Sequence, residues 1–360
     1  MARAVLVLTV VLYARALEIT LNLGEDDPEA RLSFSATDDL PARAMEFASE
    51  RGLVAGAARV VEDAMRRRVH RTRAFSLEVP GCAPRSFGFD EVEAVFNAQQ
   101  DVWEDLGSTN PFWSVLSGRD YDVGNGISPA KARDFYQTGE ETVAALLARV
   151  ALLPGLEHLA NANASAPPHR GTVLDFGCGL GRLAVAFAGR YERVLCVDHS
   201  SAHLQAAKQS VEFLFPERAA RIVTLAAGPD LLGALDAYHA QIPEAPPTFE
   251  LAVSLIALQH MVPQLQVVYL EQLCDVLTPG RGVGLIQFLS FYEDSAYVAS
   301  DCDPQRAIDE PGMQLHWLPL SEVYVHLERR GCFALHALEC DNMVSMADRR
   351  TSSHCVVFGK

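Results

Sequence analysis

Residues 173–184 read Val-Leu-Asp-Phe-Gly-Cys-Gly-Leu-Gly-Arg-Leu-Ala. The stretch opens with apolar residues suited to a buried strand. It then sets an acid at Asp175 and glycines at alternate positions, Gly177, Gly179 and Gly181, and runs on into a helix-like apolar pattern. A strand that feeds a helix through a glycine turn brings backbone N–H groups close to a ligand. Glycine is required there because a Cβ would block the approach or forbid the backbone angles. The spacing narrows the ligand. A dinucleotide loop, G-x-G-x-x-G, would need its third glycine at 182, where Arg182 stands. No Gly-Lys-Ser/Thr follows, which excludes a Walker loop.

Beyond this stretch, strand and helix patterns alternate. Strands are expected at Thr172–Phe176, Arg193–Val197 (ending at Asp198), Arg221–Ala226, Phe249–Leu255 and Gly282–Phe288. Helices are expected at Arg182–Arg190, Ser201–Leu214, Leu231–His239 and Pro263–Leu277, the last stopped by Thr278-Pro279-Gly280. A further helix, Leu320–Arg330, ends at Gly331, and two closing strands follow at Phe333–Leu338 and His354–Phe358. This order predicts an α/β fold, a doubly wound parallel sheet.

The motifs resemble those of class I S-adenosylmethionine-dependent methyltransferases. Asp175 to Gly181 matches that family's first motif. Asp198 in Val194-Leu195-Cys196-Val197-Asp198 matches its acidic second motif. Phe249-Glu250-Leu251 through Leu258-Gln259-His260-Met261 matches the fourth-strand motif, and Leu277-Thr278-Pro279-Gly280 the turn before the fifth strand. The resemblance covers roughly residues 165–360 and reaches into Trp103–Gly139. It implies a Rossmann-like seven-stranded sheet with a C-terminal antiparallel hairpin, S-adenosyl-L-methionine as cofactor, and no metal. It implies further that Gly177, Cys178, Gly179 and Gly181 form the cofactor loop, and that Asp175 attracts the cofactor's ammonium. Asp198 would accept hydrogen bonds from the ribose hydroxyls. His199 would pack beside the adenine, Gly228 and Asp230 would meet its edge, and Gln259 would be a polar contact. His260 is the candidate catalytic base, or a structural histidine closing the turn after the strand. Glu250 stands where the family has Asp, early in its strand, and is not expected at the cofactor.

Upstream, residues 17–80 suggest a small α+β module. Leu17–Leu23 and Ala30–Ser35 alternate like a hairpin, and two helical runs follow, one after Asp38-Asp39 and one over Leu53–Arg68. In order this resembles a ubiquitin-like element. The arginines 66, 67, 68, 71 and 73 read as a solvated helix end or an anionic contact. Glu78–Phe89 reads as a linker. Residues 90–165 read as a helical cap, whose aromatic connection from Trp103 to Tyr136 is either pocket lining or core. Residues 166–360 form the sheet domain.

A net charge of −16 argues against a nucleic-acid backbone as partner and favours a small-molecule acceptor. Eight cysteines show neither C-x-x-C nor zinc spacing, so free thiols and a reducing compartment are expected. Residues 1–16 combine a basic start, the short apolar run Ala4–Tyr13 and Ala14-Arg15-Ala16. They read as a targeting signal or as a buried apolar segment, too short for a stable span. Cofactor supply points to an intracellular, cytoplasmic enzyme. Asn163-Ala164-Ser165 is a formal glycosylation sequon. A non-catalytic cofactor-binding or scaffold protein is the alternative. No N/D-P-P-Y/F tetrapeptide follows the fourth strand, where Ser254-Leu255-Ile256-Ala257 stands, and this argues against an amino-group methylase of the DNA or glutamine type. The identity of the acceptor, its atom and the oligomeric state are not written in these motifs.

Overall fold

A computed structural model describes residues 17–21, 30–35, 38–53, 57–72, 74–79, 82–122, 126–161, 169–241, 248–292, 303–340 and 351–360. The apolar run Ala4–Tyr13, the sequon at Asn163, Cys302 and residues 123–125 of the Trp103–Tyr136 connection lie outside them. The chain forms two compact units, residues 1–74 and 75–360.

In the first unit, β1 (Leu17–Leu21) pairs antiparallel with β2 (Ala30–Phe34), and α1 (Leu40–Glu50) and α2 (Ala57–Thr72) follow. Alternation in β2 buries Ala30, Leu32 and Phe34 against Ala44, Phe47, Val61 and Met65. The Asp39 side chain caps α1 by accepting from the Ala42 amide at 3.2 Å.

The second unit begins with a short hairpin, β3 (Phe75–Leu77) and β4 (Arg85–Phe87). This corrects the linker reading of Glu78–Phe89. Phe75 and Phe87 stack at 5.3 Å, and their burial with Leu77 ties the segment to the main core despite its prolines and glycines. Three helices precede the large sheet: α3 (Phe89–Thr109), α4 (Pro111–Val115) and α5 (Pro129–Val150).

The sheet domain then alternates as expected: β5 (His169–Phe176), α6 (Arg182–Ala188), β6 (Tyr191–Asp198), α7 (Ser201–Leu214), α8 (Pro216–Ala219), β7 (Ile222–Ala226), α9 (Leu231–Gln241), β8 (Leu251–Ser254), α10 (Pro263–Asp275) and β9 (Val283–Tyr292). It closes with α11 (Pro304–Asp309), α12 (Leu320–Arg329), β10 (Phe333–Glu339) and β11 (Thr351–Gly359). The seven strands lie in the order β10-β11-β9-β8-β5-β6-β7. Five are parallel, and β11 runs antiparallel to both β9 and β10. The order reverses at β5, between β6 and β8. In open α/β sheets ligands bind outside the carboxyl ends of the strands at such a point.

Helices cover both faces. All residues of α6 are buried, including its first, Arg182. Gly139 in α5 permits this: a Cβ there would lie 2.2 Å from the Arg182 carbonyl oxygen. On the other face α10 is buried from Pro263 to Cys274. A buried network joins it to α12 and the hairpin. His326 meets Glu271 at 2.7 Å through Nδ1 and the Ser76 carbonyl at 3.0 Å through Nε2.

The cysteines overturn the free-thiol expectation. Cys178 pairs with Cys196, Cys274 with Cys332, and Cys340 with Cys355, and Cys82 is also disulfide-bonded. No described cysteine is free. Sequence separations of 18, 58 and 15 hide these pairs from motif reading. Proximity in the folded chain creates them, and only the fold supplies it. Among the described residues no helix is long and apolar enough to cross a membrane, and no cluster of metal-ligating side chains occurs.

Candidate active site

At the carboxyl end of β5 the chain turns through the glycine loop. Gly177, Gly179 and Gly181 all have positive φ, at 71°, 51° and 72°. The loop hangs from the end of β6: the Gly177 and Cys178 amides both donate to the Val197 carbonyl, at 2.8 and 3.1 Å. The Cys178–Cys196 disulfide adds a covalent tie between the same two segments. Two of the glycines also make room for neighbours. A Cβ on Gly177 would lie 2.3 Å from the Ala257 Cβ, and one on Gly179 would lie 2.7 Å from Val115 Cγ2.

Asp198 ends β6 and faces the loop. Its Oδ2 accepts from the Gly179 amide at 2.8 Å and its Oδ1 from the Ser200 amide at 3.0 Å. The carboxylate is thus oriented by two backbone donors while each oxygen keeps a lone pair. It suits a vicinal diol, such as a ribose.

A cleft of about 690 Å³, open space included, lies over these strand ends. Its lining contains Asp175, Gly177, Cys178, Gly179, Asp198, His199 and His260, seven of the residues the motifs single out. Gly181, Gly228, Asp230 and Gln259 do not line the cleft, and each has a structural occupation instead. Gly181 starts α6 and packs near Cys196 and Ala207. The Gly228 carbonyl accepts from the Tyr269 hydroxyl at 3.0 Å. The Asp230 carboxylate accepts from the Leu232 amide at 3.0 Å, at the start of α9. Gln259 is 2 % exposed and its amide nitrogen reaches His260 Nε2 at 3.3 Å. Glu250 pairs with Arg281 at 3.3 Å, before β8 begins, which agrees with its expected distance from the site.

The helices before the sheet supply the opposite wall. Trp103 of α3 stands edge-on to His260, with ring centroids 5.3 Å apart, and to His199, 5.9 Å apart. Its backbone carbonyl accepts from the Ser200 hydroxyl at 3.2 Å, next to the first turn of α7. Ser114 of α4 meets His203 Nε2 at 2.7 Å. Trp103, Ser114, Val115 and His203 therefore belong to the site, and the aromatic connection serves as lining at Trp103 and as core at Phe112, Phe135 and Tyr136. Arg182 and Ile256 also line the cleft. Ile256 holds φ at 62°, a left-handed conformation that is strained for a β-branched residue, and its amide donates to Gln287 Oε1 at 3.1 Å. Nothing in the local sequence signals that strain.

Burial sets the charges. It pushes Asp175 up to about 7, against the lowering effect of Arg182. It pulls His260 down to about 4, although the Gln314 carbonyl, 2.9 Å from Nδ1, works the other way. That carbonyl can only accept, so Nδ1 carries the proton and Nε2 is the basic nitrogen. His199 and His203 are also lowered, chiefly by burial. At neutral pH the three imidazoles are uncharged, and His260 offers a lone pair rather than a positive charge.

Residues 173–280 match the family model of a methyltransferase domain. The chain therefore carries a stretch similar to a methyltransferase domain. A search of curated proteins returns no match. Among solved structures the chain is similar to magnesium protoporphyrin IX methyltransferase from Synechocystis with bound SAH. Identity is 14%, coverage is 72% of this chain and 98% of that one, and the TM-score is 0.45. It is also similar to a TehB-like SAM-dependent methyltransferase from Corynebacterium glutamicum, at 20% identity, 65% and 100% coverage and a TM-score of 0.35. An O-methyltransferase family 2 protein from Planctomyces limnophilus, in complex with apigenin, gives 14%, 62% and 61%, and 0.35. The matched span of the methyltransferase domain runs from β5 to the turn after α10, which holds the glycine loop, Asp198 and His260. Trp103 and Ser114 lie upstream of that span, so residues outside the matched domain complete the lining of the cleft.

Proposed function

We propose that this protein transfers a methyl group from S-adenosylmethionine to a small-molecule acceptor by in-line displacement. The observation that carries the reading is the loop–strand pairing: three positive-φ glycines hang from β6, with the Asp198 carboxylate held toward the cleft by the Gly179 amide. The residues present fit that cofactor. The loop's glycines take positive φ angles that let backbone turn toward the cleft, Asp198 keeps acceptor capacity for a diol, and the Asp175 carboxylate has an oxygen, Oδ2, with no partner. The bound cofactor supplies an activated methyl on a sulfonium, so alignment supplies much of the acceleration.

The chain's own residues divide the remaining work. Asp198 would grip the ribose hydroxyls, Gly177 and Gly179 would admit the methionine portion, and His199 would pack beside the adenine. Trp103 would cover the cleft and keep water out. His260, with its proton held on Nδ1 by the Gln314 carbonyl, would accept a hydrogen bond or a proton from the acceptor at Nε2 in place of the Gln259 amide that reaches it at 3.3 Å. Its lowered affinity for protons suits an acidic or already ionised acceptor better than an alkylamine. An intracellular site of action belongs to this reading, because the cofactor is made inside cells. The disulfides favour an oxidising compartment there over the cytosol.

The test is calorimetric binding of S-adenosylhomocysteine, followed by incubation of metabolite extracts with a labelled methyl donor. Binding with labelled product supports the proposal. Binding with no labelled compound in any extract supports a non-catalytic cofactor-binding protein, and no binding removes both readings.

A further inference from the structure

His203, in the first turn of α7, and Ser114, of α4, are both buried, yet both line the cleft. Neither belongs to the cofactor motifs, and 89 residues separate them. Ser114 Oγ lies 2.7 Å from His203 Nε2 and 2.8 Å from the Pro111 carbonyl oxygen. A serine hydroxyl has one hydrogen, so the two acceptors compete for it while the ring is neutral.

The other side of the ring faces α3. The Trp103 carbonyl acts there as a backbone acceptor, and Nδ1 is the nitrogen left to meet it. Gly107 allows the approach: a Cβ on it would lie 2.6 Å from Nδ1 and 2.9 Å from Ser200 Oγ. A carbonyl can only accept, so the neutral ring carries its proton on Nδ1 and turns the Nε2 lone pair to Ser114. A second proton on the ring resolves the competition. Nε2–H then donates to Ser114 Oγ, the hydroxyl donates to Pro111, and Nδ1–H stays on Trp103. The pair can therefore take up one proton without losing a hydrogen bond. Burial opposes the charged ring most, and His199 opposes it as well, whereas Asp198 at the end of β6 and Glu104 of α3 favour it.

We propose that Ser114 and His203 form a proton relay that serves the methyl transfer, with Ser114 touching the acceptor. This rests on the methyl-transfer reading above. The acceptor's proton goes to Ser114 Oγ while the Ser114 proton passes to Nε2. The electron pair of the broken bond stays on the acceptor atom, which takes the methyl, and the sulfur keeps the pair of the methyl–sulfur bond. His203 afterwards returns its extra proton to water. The Trp103 ring stands between the relay and His260, with centroids 6.4 Å from His203 and 5.3 Å from His260. His260 then keeps the hydrogen-bonding role and the relay carries the proton.

The first test is nitrogen NMR of the histidines in the full-length protein, which needs no acceptor. Above neutral pH the His203 ring should be protonated at Nδ1 and bare at Nε2, and Ser114→Ala should shift the Nε2 signal. A neutral ring protonated at Nε2 overturns the relay, because it has no lone pair for the serine proton. The second test uses the acceptor that the labelled-donor screen returns. Ser114→Ala and His203→Gln should each lower kcat by about 100-fold near neutral pH, the scale of general-base catalysis. KM and S-adenosylhomocysteine affinity should stay within about threefold, which also shows that the variants are folded. The loss should shrink as pH rises and the acceptor gives up its proton unaided. A loss equal at every pH, or a matching loss of S-adenosylhomocysteine binding, marks a merely structural pair and overturns the proposal. Absence of any methylated product removes the methyl-transfer reading, and the relay with it, whichever tautomer His203 holds.

Discussion

The Gly179 amide donates to the Asp198 carboxylate at 2.8 Å, across 19 residues of sequence. One contact thereby ties the cofactor loop to the end of the neighbouring strand. The arrangement holds the acid in place before any ligand arrives, so little reorganisation is left for binding. On the proposed function, Asp198→Ala should weaken S-adenosylhomocysteine by at least about 10-fold, since the proposed partner of two hydroxyls would be lost together with the loop's anchor. Calorimetry of the variant checks this, and unchanged affinity would remove Asp198 from the site.

Gly179→Ala carries two separable penalties. A φ of 51° costs an L-residue about 1 kcal/mol, and the new methyl would press on Val115 Cγ2. Val115→Ala should therefore rescue part of the loss in the double variant and leave the backbone part untouched. A double-mutant cycle on ligand affinity reads the coupling. Strict additivity would show that α4 does not close against the loop.

Two buried groups should give opposite pH signatures. Asp175 holds its proton more tightly in the folded protein, up to about 7, than in the unfolded chain. Its contribution to stability falls as pH rises from about 4 to about 7, because the folded state binds more protons there. His260 is pulled down to about 4, so its contribution falls as pH drops from about 6.5 to about 4, where only the unfolded state is protonated. The two slopes offset each other in the wild type at mildly acid pH. Asp175→Asn should remove one of them and gain stability relative to wild type at pH 8, by a few kcal/mol at most. Urea denaturation between pH 5 and pH 8 tests this, and parallel pH profiles for the two proteins would contradict it.

Protein made in an oxidising host should resist alkylation by a maleimide in denaturant until a reductant is added. The Cys178→Ser/Cys196→Ser variant should lose about 3 kcal/mol of stability, the scale for a closed loop of this length. It should also bind S-adenosylhomocysteine more weakly, because the loop then hangs from Val197 and Asp198 by hydrogen bonds alone. Immediate full alkylation without reductant would return the chain to a reducing compartment.

Local pattern carried much of the fold. Ser201–Leu214 reads as a helix from its spacing and folds as one over the same residues, because its apolar side is buried at Leu204, Ala207, Val211 and Leu214. The β3–β4 hairpin was illegible for the opposite reason. Its Pro and Gly content imitates a linker, and its strands exist only because Phe75 and Phe87 find the main core. Trp103 was equally ambiguous on its own, since an aromatic on a helix is core or lining according to what stands across from it.

The glycine loop is fully written in local chemistry. Its acid, its three glycines and the count to Gly181 can be read in one short window, because backbone angles of that kind admit few residue types. Its surroundings come from long-range packing. Trp103, Ser114 and His203 converge from separate elements, and the cysteines pair between segments distant in sequence. Arg182 gains its meaning from two threonines 44 and 40 residues upstream, whose hydroxyls stand 3.2 Å from its guanidinium. Such relations depend on which elements pack together, and packing is a property of the whole chain that no short window of residues contains.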